Sequence, residues 1–114
     1  MSLPELKLRY LQHKAQIVVF ESETGLILES CHGLADLQPL VGKSIYAHYP
    51  LFEGIRMALL DLDQAAKPIT LPAVDFSLEG RHGVYDFEIY AHPRQRDLRV
   101  WMIHDHTVLY QYFQ

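Results

Sequence analysis

The sequence predicts an α+β domain: one antiparallel sheet with its helices gathered on one side. Three observations carry that prediction. Two short apolar runs, AQIVVFES (15–22) and LILESC (26–31), flank a turn at Glu23-Thr24-Gly25 and form a hairpin pattern. Three further runs after Pro68, namely ITLPAVDFSL, VYDFEIYAH and LRVWMIHDHTV, are separated only by turn residues and form a meander. Between hairpin and meander the period changes to that of a helix.

Taken in order, residues Ser2 to Lys14 predict a short helix. Ser2 and Glu5 have capping-box spacing, Pro4 suits a first turn, and Leu3, Leu6, Tyr10 and His13 share one face. A helix this short must dock on something to be stable. The β-branched run from Ala15 starts the hairpin, and Gly33 closes it. LADLQPLVGKSIYAHYP (34–50) carries prolines at 39 and 50 and a glycine at 42, which allows only short helical turns joined by corners. LFEGIRMALLDLDQAAK (51–67) is expected to be one long helix. Leu51, Ile55, Ala58, Leu59, Leu62 and Ala66 recur at helical spacing, and Lys67-Pro68 ends it.

In ITLPAVDFSL, Pro72 demotes part of the strand to an edge or a bulge. The next strand alternates cleanly, with Tyr85, Phe87, Ile89 and Ala91 on one face and Asp86, Glu88, Tyr90 and His92 on the other. In the last strand Trp101, Ile103, Asp105 and Thr107 share a face, opposite Val100, Met102, His104 and His106.

Size and composition narrow the function. A chain of 114 residues fits one domain and can bury a core without disulfides or a metal staple. The single cysteine, Cys31, forms no internal disulfide, which points to a reducing cytoplasm or to indifference to the redox compartment. A formal charge of −4 with no basic stripe disfavours nucleic acid as a partner. No apolar run approaches the roughly 18 residues that span a bilayer, and no signal-peptide pattern opens the chain, so no direct membrane contact is expected.

Three stretches resemble the PAS domain, the small sensory module of bacterial signalling proteins. LVGKSIYAHYP (40–50) is similar to the PAS segment with a glycine, a basic or polar residue, a serine and an apolar-aromatic pair before a proline. GVYDFEIYAHP (83–93) is similar to the penultimate PAS strand with its turn-forming proline. Asp105-His106-Thr107 stands where PAS domains carry an Asp-x-Thr motif, between the last strand and an output helix. The similarity runs from Ala15 onward.

The resemblance implies a five-stranded antiparallel sheet in the order 2-1-5-4-3, cupped around helices over a small-molecule cavity. It implies residues 1–14 as a dimerising helix, 15–108 as the PAS domain and 109–114 as the start of a connector in a longer protein. It also implies no chemistry of the domain's own. The module senses a ligand or partner and passes strain through its termini to an effector of the histidine kinase or diguanylate cyclase type, as in two-component systems. By the same resemblance Tyr85, Phe87, Ile89, Trp101, Ile103, Ile55 and Leu59 line the cavity. Tyr46, Tyr49 and Arg56 are the polar groups that a ligand would meet, and Asp105 and Thr107 are the signal relay.

Known PAS cofactors demand particular side chains. Flavin-photoadduct domains need a helical cysteine in an Asn-Cys-Arg-Phe-type motif, whereas Cys31 follows a strand within SCHG. Haem domains use a histidine on the long helix, and residues 51–67 contain none; haem would need an unusual ligand such as His48 or His82. The expected occupant is therefore an unidentified small organic molecule or none. Apolar inward residues are as readily plain core as pocket lining.

Two rival functions fit some residues. His104 and His106 leave the same strand face and could grip a metal with a third ligand from Asp86, Glu88 or His92. No HExxH and no paired cysteines accompany them, and strand-end histidines are more often solvated or hydrogen-bonded, so no metal is expected. A cup-shaped enzyme could use Asp86 or Asp105 as a general base. No nucleophile, triad, phosphate-loop or dinucleotide motif supports one, and neighbours such as Cys31 and His32 on a strand face opposite ways, so no catalytic residue is assigned.

Overall fold

The computed structural model describes residues 2–4, 15–31 and 33–107. The predicted dimerising helix, apart from its first residues, lies outside the described residues, as does the start of the connector. Among the described residues there are five strands: β1 (Ala15–Glu21), β2 (Ile27–Ser30), β3 (Ile69–Leu78), β4 (Arg81–Ala91) and β5 (Leu98–Asp105). They form one antiparallel sheet in the order β2-β1-β5-β4-β3. Between β2 and β3 come a 3-10 turn (Gln38–Leu40) and three short helices, α1 (Ile45–His48), α2 (Pro50–Gly54) and α3 (Arg56–Asp61).

The period-2 pattern decides which face of the sheet is inside. Val18 and Phe20 of β1, Tyr85, Phe87 and Ile89 of β4, and Trp101 and Ile103 of β5 are fully buried. Register places them side by side, with Val18 opposite Trp101, Ile89 opposite Trp101, and Phe87 opposite Ile103. The helices contribute Ile45, Tyr46, Tyr49, Phe52 and Leu59 to the same core. Gln16 is the buried polar exception on β1. Its amide donates to Ser30 Oγ and to the carbonyls of Cys31 and Ala35, and accepts from the Ala35 N–H, which ties the loop after β2 to the sheet.

The expected long helix over 51–67 is not formed; two short helices take its place. Ile55 leaves helical geometry at φ −110°, ψ 12°, directly after Gly54, and Leu62 turns extended at ψ 127°. A glycine weakens the helix at the break. Beyond it, Asp63 Oδ1 accepts the N–H groups of Ala65 and Ala66, both at 2.8 Å, offering the backbone a local turn instead of another helical one. Ala58 and Ala66, expected on the apolar face, are exposed in consequence.

Strand β3 lies at the sheet edge, as Pro72 requires, and its register against β4 shifts between Leu71 and Val74. At that bulge Ala73 adopts φ 53°, and its N–H donates to Asp86 Oδ1 at 2.9 Å.

Candidate functional site

Two places stand out: the inside of the cup and the joint at the end of β5. In the cup, the sheet offers inward aromatic residues and the short helices lay theirs over them. Trp101 is the hub. Its ring meets Phe52 at 4.6 Å, Phe87 at 5.2 Å, Tyr49 at 5.9 Å and Phe76 at 6.2 Å, all edge to face. Tyr85 stacks on Phe87 at 6.2 Å, and Ile89, Ile103 and Leu59 complete the fully buried set. Among the described residues, Trp101 Nε1 is the buried side-chain polar atom that lacks a hydrogen-bond partner. It is the atom of this cluster that an acceptor could address.

The three polar candidates sit at the rim, each engaged by the protein itself. The Tyr46 hydroxyl donates to the Ser22 carbonyl at 2.5 Å, and the Arg56 guanidinium lies 4.5 Å over the Tyr46 ring. Arg56 also donates to the Glu23 carbonyl at 2.6 Å and pairs with Glu53 at 3.3 Å, which ties the helices to the β1–β2 turn. Burial pushes the Tyr46 hydroxyl above its ordinary value, against the opposing pull of Arg56.

Tyr49 reaches the opposite rim and donates to Glu79 Oε1 at 2.7 Å; the same oxygen meets His48 Nε2 at 2.6 Å. Burial, reinforced by Glu79, raises the Tyr49 hydroxyl far out of the accessible range. Burial alone would raise Glu79, but the hydrogen bonds from Tyr49 and His48 outweigh it and hold the carboxyl below its usual value. Ile55, half-buried at the helix break, packs against the core from outside the ring cluster.

The exit joint is built around Asp105, the last residue of β5 and 9% exposed. Its Oδ1 accepts the Thr107 N–H at 3.0 Å and the Thr107 hydroxyl at 2.6 Å. Its Oδ2 accepts from Arg81 at 3.1 Å. Thr107 Oγ1 in turn accepts the Val84 N–H at 3.0 Å, and the His106 N–H donates to the Val84 carbonyl at 3.0 Å. The joint is thus a side-chain extension of the β4–β5 ladder. Alternation alone assigned Asp105 and Thr107 to this face. It gave no hint of Arg81, which also donates to the Leu34 carbonyl at 2.9 Å, or of Gly83. A Cβ on Gly83 would stand 2.4 Å from Thr107 Oγ1, so glycine is what lets the threonine dock.

Asp105, the other general-base candidate, is buried in the exit joint; the remaining residues of the rival functions lie on the outer face or the surface. His106 Nδ1 is 2.7 Å from Asp86 Oδ2, while the His104 ring is 6.3 Å from that of His106. Among the described residues no three His, Cys, Asp or Glu side chains gather as a metal site would need. Asp86 divides its oxygens between Ala73 and His106, and Glu88 hydrogen-bonds the Tyr90 hydroxyl. His92 Nδ1 accepts the Arg94 and Gln95 N–H groups at 3.1 and 3.2 Å, closing the β4–β5 turn. His48 and His82 each face a carboxylate, Glu79 and Asp75. Cys31 is exposed, with its sulfur 3.1 Å from the Ile17 amide nitrogen. Among the described residues no helix is long and apolar enough to cross a membrane.

No protein-family model matches the sequence, and no curated protein matches it. Among solved structures, the chain is similar to the PAS domain of an HTR-like protein from Haloarcula marismortui. The TM-score is 0.60 at 16% identity, over 90% of this chain and 96% of that one. At that identity the likeness is one of fold, and with the strand order 2-1-5-4-3 it shows that this chain folds as a PAS-like α+β domain.

Proposed function

We propose that the chain is a non-catalytic sensory domain that relays strain from its cup to an effector through the end of β5. The observation that carries this is the joint itself: a buried carboxylate that holds Thr107 by both backbone and side chain. A carboxylate that accepts N–H bonds where a strand ends fixes the exit angle of whatever follows. Asp105 shares β5 with Trp101, the hub of the ring cluster, so a shift of the rings moves the strand that carries the joint. The PAS-like fold supports the reading, because that architecture is known as a sensory module.

The finer parts of the proposal follow the family resemblance. They are a small organic ligand or a partner at the cup, a homodimer through residues 3–14, and a cytoplasmic effector of the histidine kinase or diguanylate cyclase type. The test places residues 1–114 in front of a histidine kinase effector and measures autophosphorylation. Asp105→Ala is expected to uncouple output from the sensor while circular dichroism shows the domain still folded. Unchanged signalling by a folded Asp105→Ala chimera removes the relay. Native mass spectrometry of the purified chain reads ligand and oligomer together, and an empty monomer would favour a protein-interaction module.

A further inference from the structure

A second concavity, of about 500 Å³, lies outside the cup, between the segment leaving α3 and the β4–β5 turn. Its lining includes Arg99, which is 3% exposed. The guanidinium donates from Nε to the Leu59 carbonyl at 2.8 Å and from Nη2 to the Leu62 carbonyl at 2.7 Å. Nη1 donates to the carbonyls of Arg96 and Leu98, at 2.8 and 2.9 Å. An arginine carries five N–H donors, so one on Nη2 is left over. All four acceptors are neutral, and among the described residues no carboxylate pairs with Arg99 within 4.0 Å. A buried cation with no directly paired carboxylate is costly, and burial pulls this guanidinium below its ordinary pKa against the smaller opposing effect of Asp97.

A second guanidinium, Arg96, stands at the exposed mouth. The carboxylate in the wall, Asp63, has one oxygen committed to the Ala65 and Ala66 amides. Gln64 is tethered across the opening to the His92 carbonyl at 3.0 Å, which keeps the two walls at a fixed spacing. The rest of the lining is apolar: Leu60, Leu62, Ala65 and Ala91.

We infer that this concavity binds a small aliphatic monocarboxylate, its carboxylate between Arg99 and Arg96 and its tail on Leu60, Ala65 and Ala91. Two guanidiniums face one carboxylate in the lining, and the Asp97 carboxylate also acts on Arg99, leaving a modest positive charge that matches a monoanion better than a phosphate dianion beside Asp63. The planar guanidinium suits a carboxylate, and the apolar walls suit a short alkyl chain. The site is separate from the cup, and its test does not depend on the sensory reading.

The test is an NMR titration of the 15N-labelled chain with butyrate, with butanol and inorganic phosphate as separate probes. Butyrate is expected to give saturable amide shifts over 60–65, 91–92 and 96–99, while butanol and phosphate do not saturate. Arg96→Gln is expected to weaken butyrate roughly fivefold, the effect of one rim charge, and Ala65→Trp to abolish binding by filling the hollow. Ala65 and Arg96 are both exposed, so these variants fold even if replacement of Arg99 does not. Absence of saturation by butyrate in the folded chain overturns the proposal. So does equal binding of butanol, which marks a merely apolar crevice, or preference for phosphate, or full affinity in Ala65→Trp.

Discussion

Gly83 of β4, Asp105 at the end of β5 and Thr107 just beyond it meet in the exit joint, so their substitutions should not be independent. Gly83→Ala forces a Cβ to within 2.4 Å of Thr107 Oγ1, and that oxygen is held by Asp105 and Val84. We expect a loss of about 1–3 kcal/mol, the usual cost of overpacking. In a Thr107→Ala background the obstructing atom is gone and most of that cost should vanish. A double-mutant cycle by urea denaturation is expected to show coupling of about 0.5–3 kcal/mol; strict additivity would contradict the geometry. Glu79 gives a second prediction at this scale. Its carboxyl is held below the usual range by Tyr49 and His48 despite burial, so the folded chain binds fewer protons there than the unfolded one as pH falls. Its contribution is complete above the unfolded value, about 4.3, and is lost as pH drops through the lower folded value. Melting temperature should therefore fall more steeply below about pH 5 in the wild type than in Glu79→Gln, and parallel curves would count against the pairing.

At the level of elements, strands were legible where one face is buried, because a period of two leaves little choice of register. Alternation puts Tyr85, Phe87 and Ile89 on one face and Trp101, Ile103 and Asp105 on one face, and in the structure both of those faces are the buried ones. The helix over 51–67 was misread because apolar spacing continues through a break that depends on tertiary partners. Arg99, forty positions from Leu59, takes the carbonyls of Leu59 and Leu62 as the chain leaves α3. No local pattern announces such a partner. Phe52 was missed for a related reason: it lies off the predicted helix face, yet it is fully buried once α2 turns separately. The bulge in β3 was legible from Pro72, but its strained residue is Ala73, at φ 53°. Ala73→Gly should relieve the left-handed conformation and stabilise the chain by about 0.5–1 kcal/mol, provided the Asp86 hydrogen bond persists. Thermal unfolding checks the sign; destabilisation would mean that the conformation costs nothing there.

Across the whole molecule, the ring cluster joins the helices to the sheet, and the helical ring packed on the hub is Phe52, 4.6 Å from Trp101 and 6.0 Å from Phe20. Phe52→Ala removes a fully buried ring from between the two layers. The expected cost is about 3–5 kcal/mol, the transfer term plus the void left behind. That void would be bordered by Trp101, whose Nε1 has no partner. An apolar hollow with a single N–H donor in its wall suits a ring that carries one acceptor. Phenol should therefore raise the melting temperature of Phe52→Ala and leave the wild type unchanged, since in the wild type the space is filled by Phe52 itself. Benzene serves as the control: a smaller shift than phenol assigns the difference to the indole N–H, and an equal shift assigns it to shape alone. If phenol protects neither protein while Phe52→Ala still unfolds cooperatively, the layers have closed over the gap. The cup would then be a core that collapses rather than a pocket in waiting, and the sensory reading would have to rest on a partner at the rim.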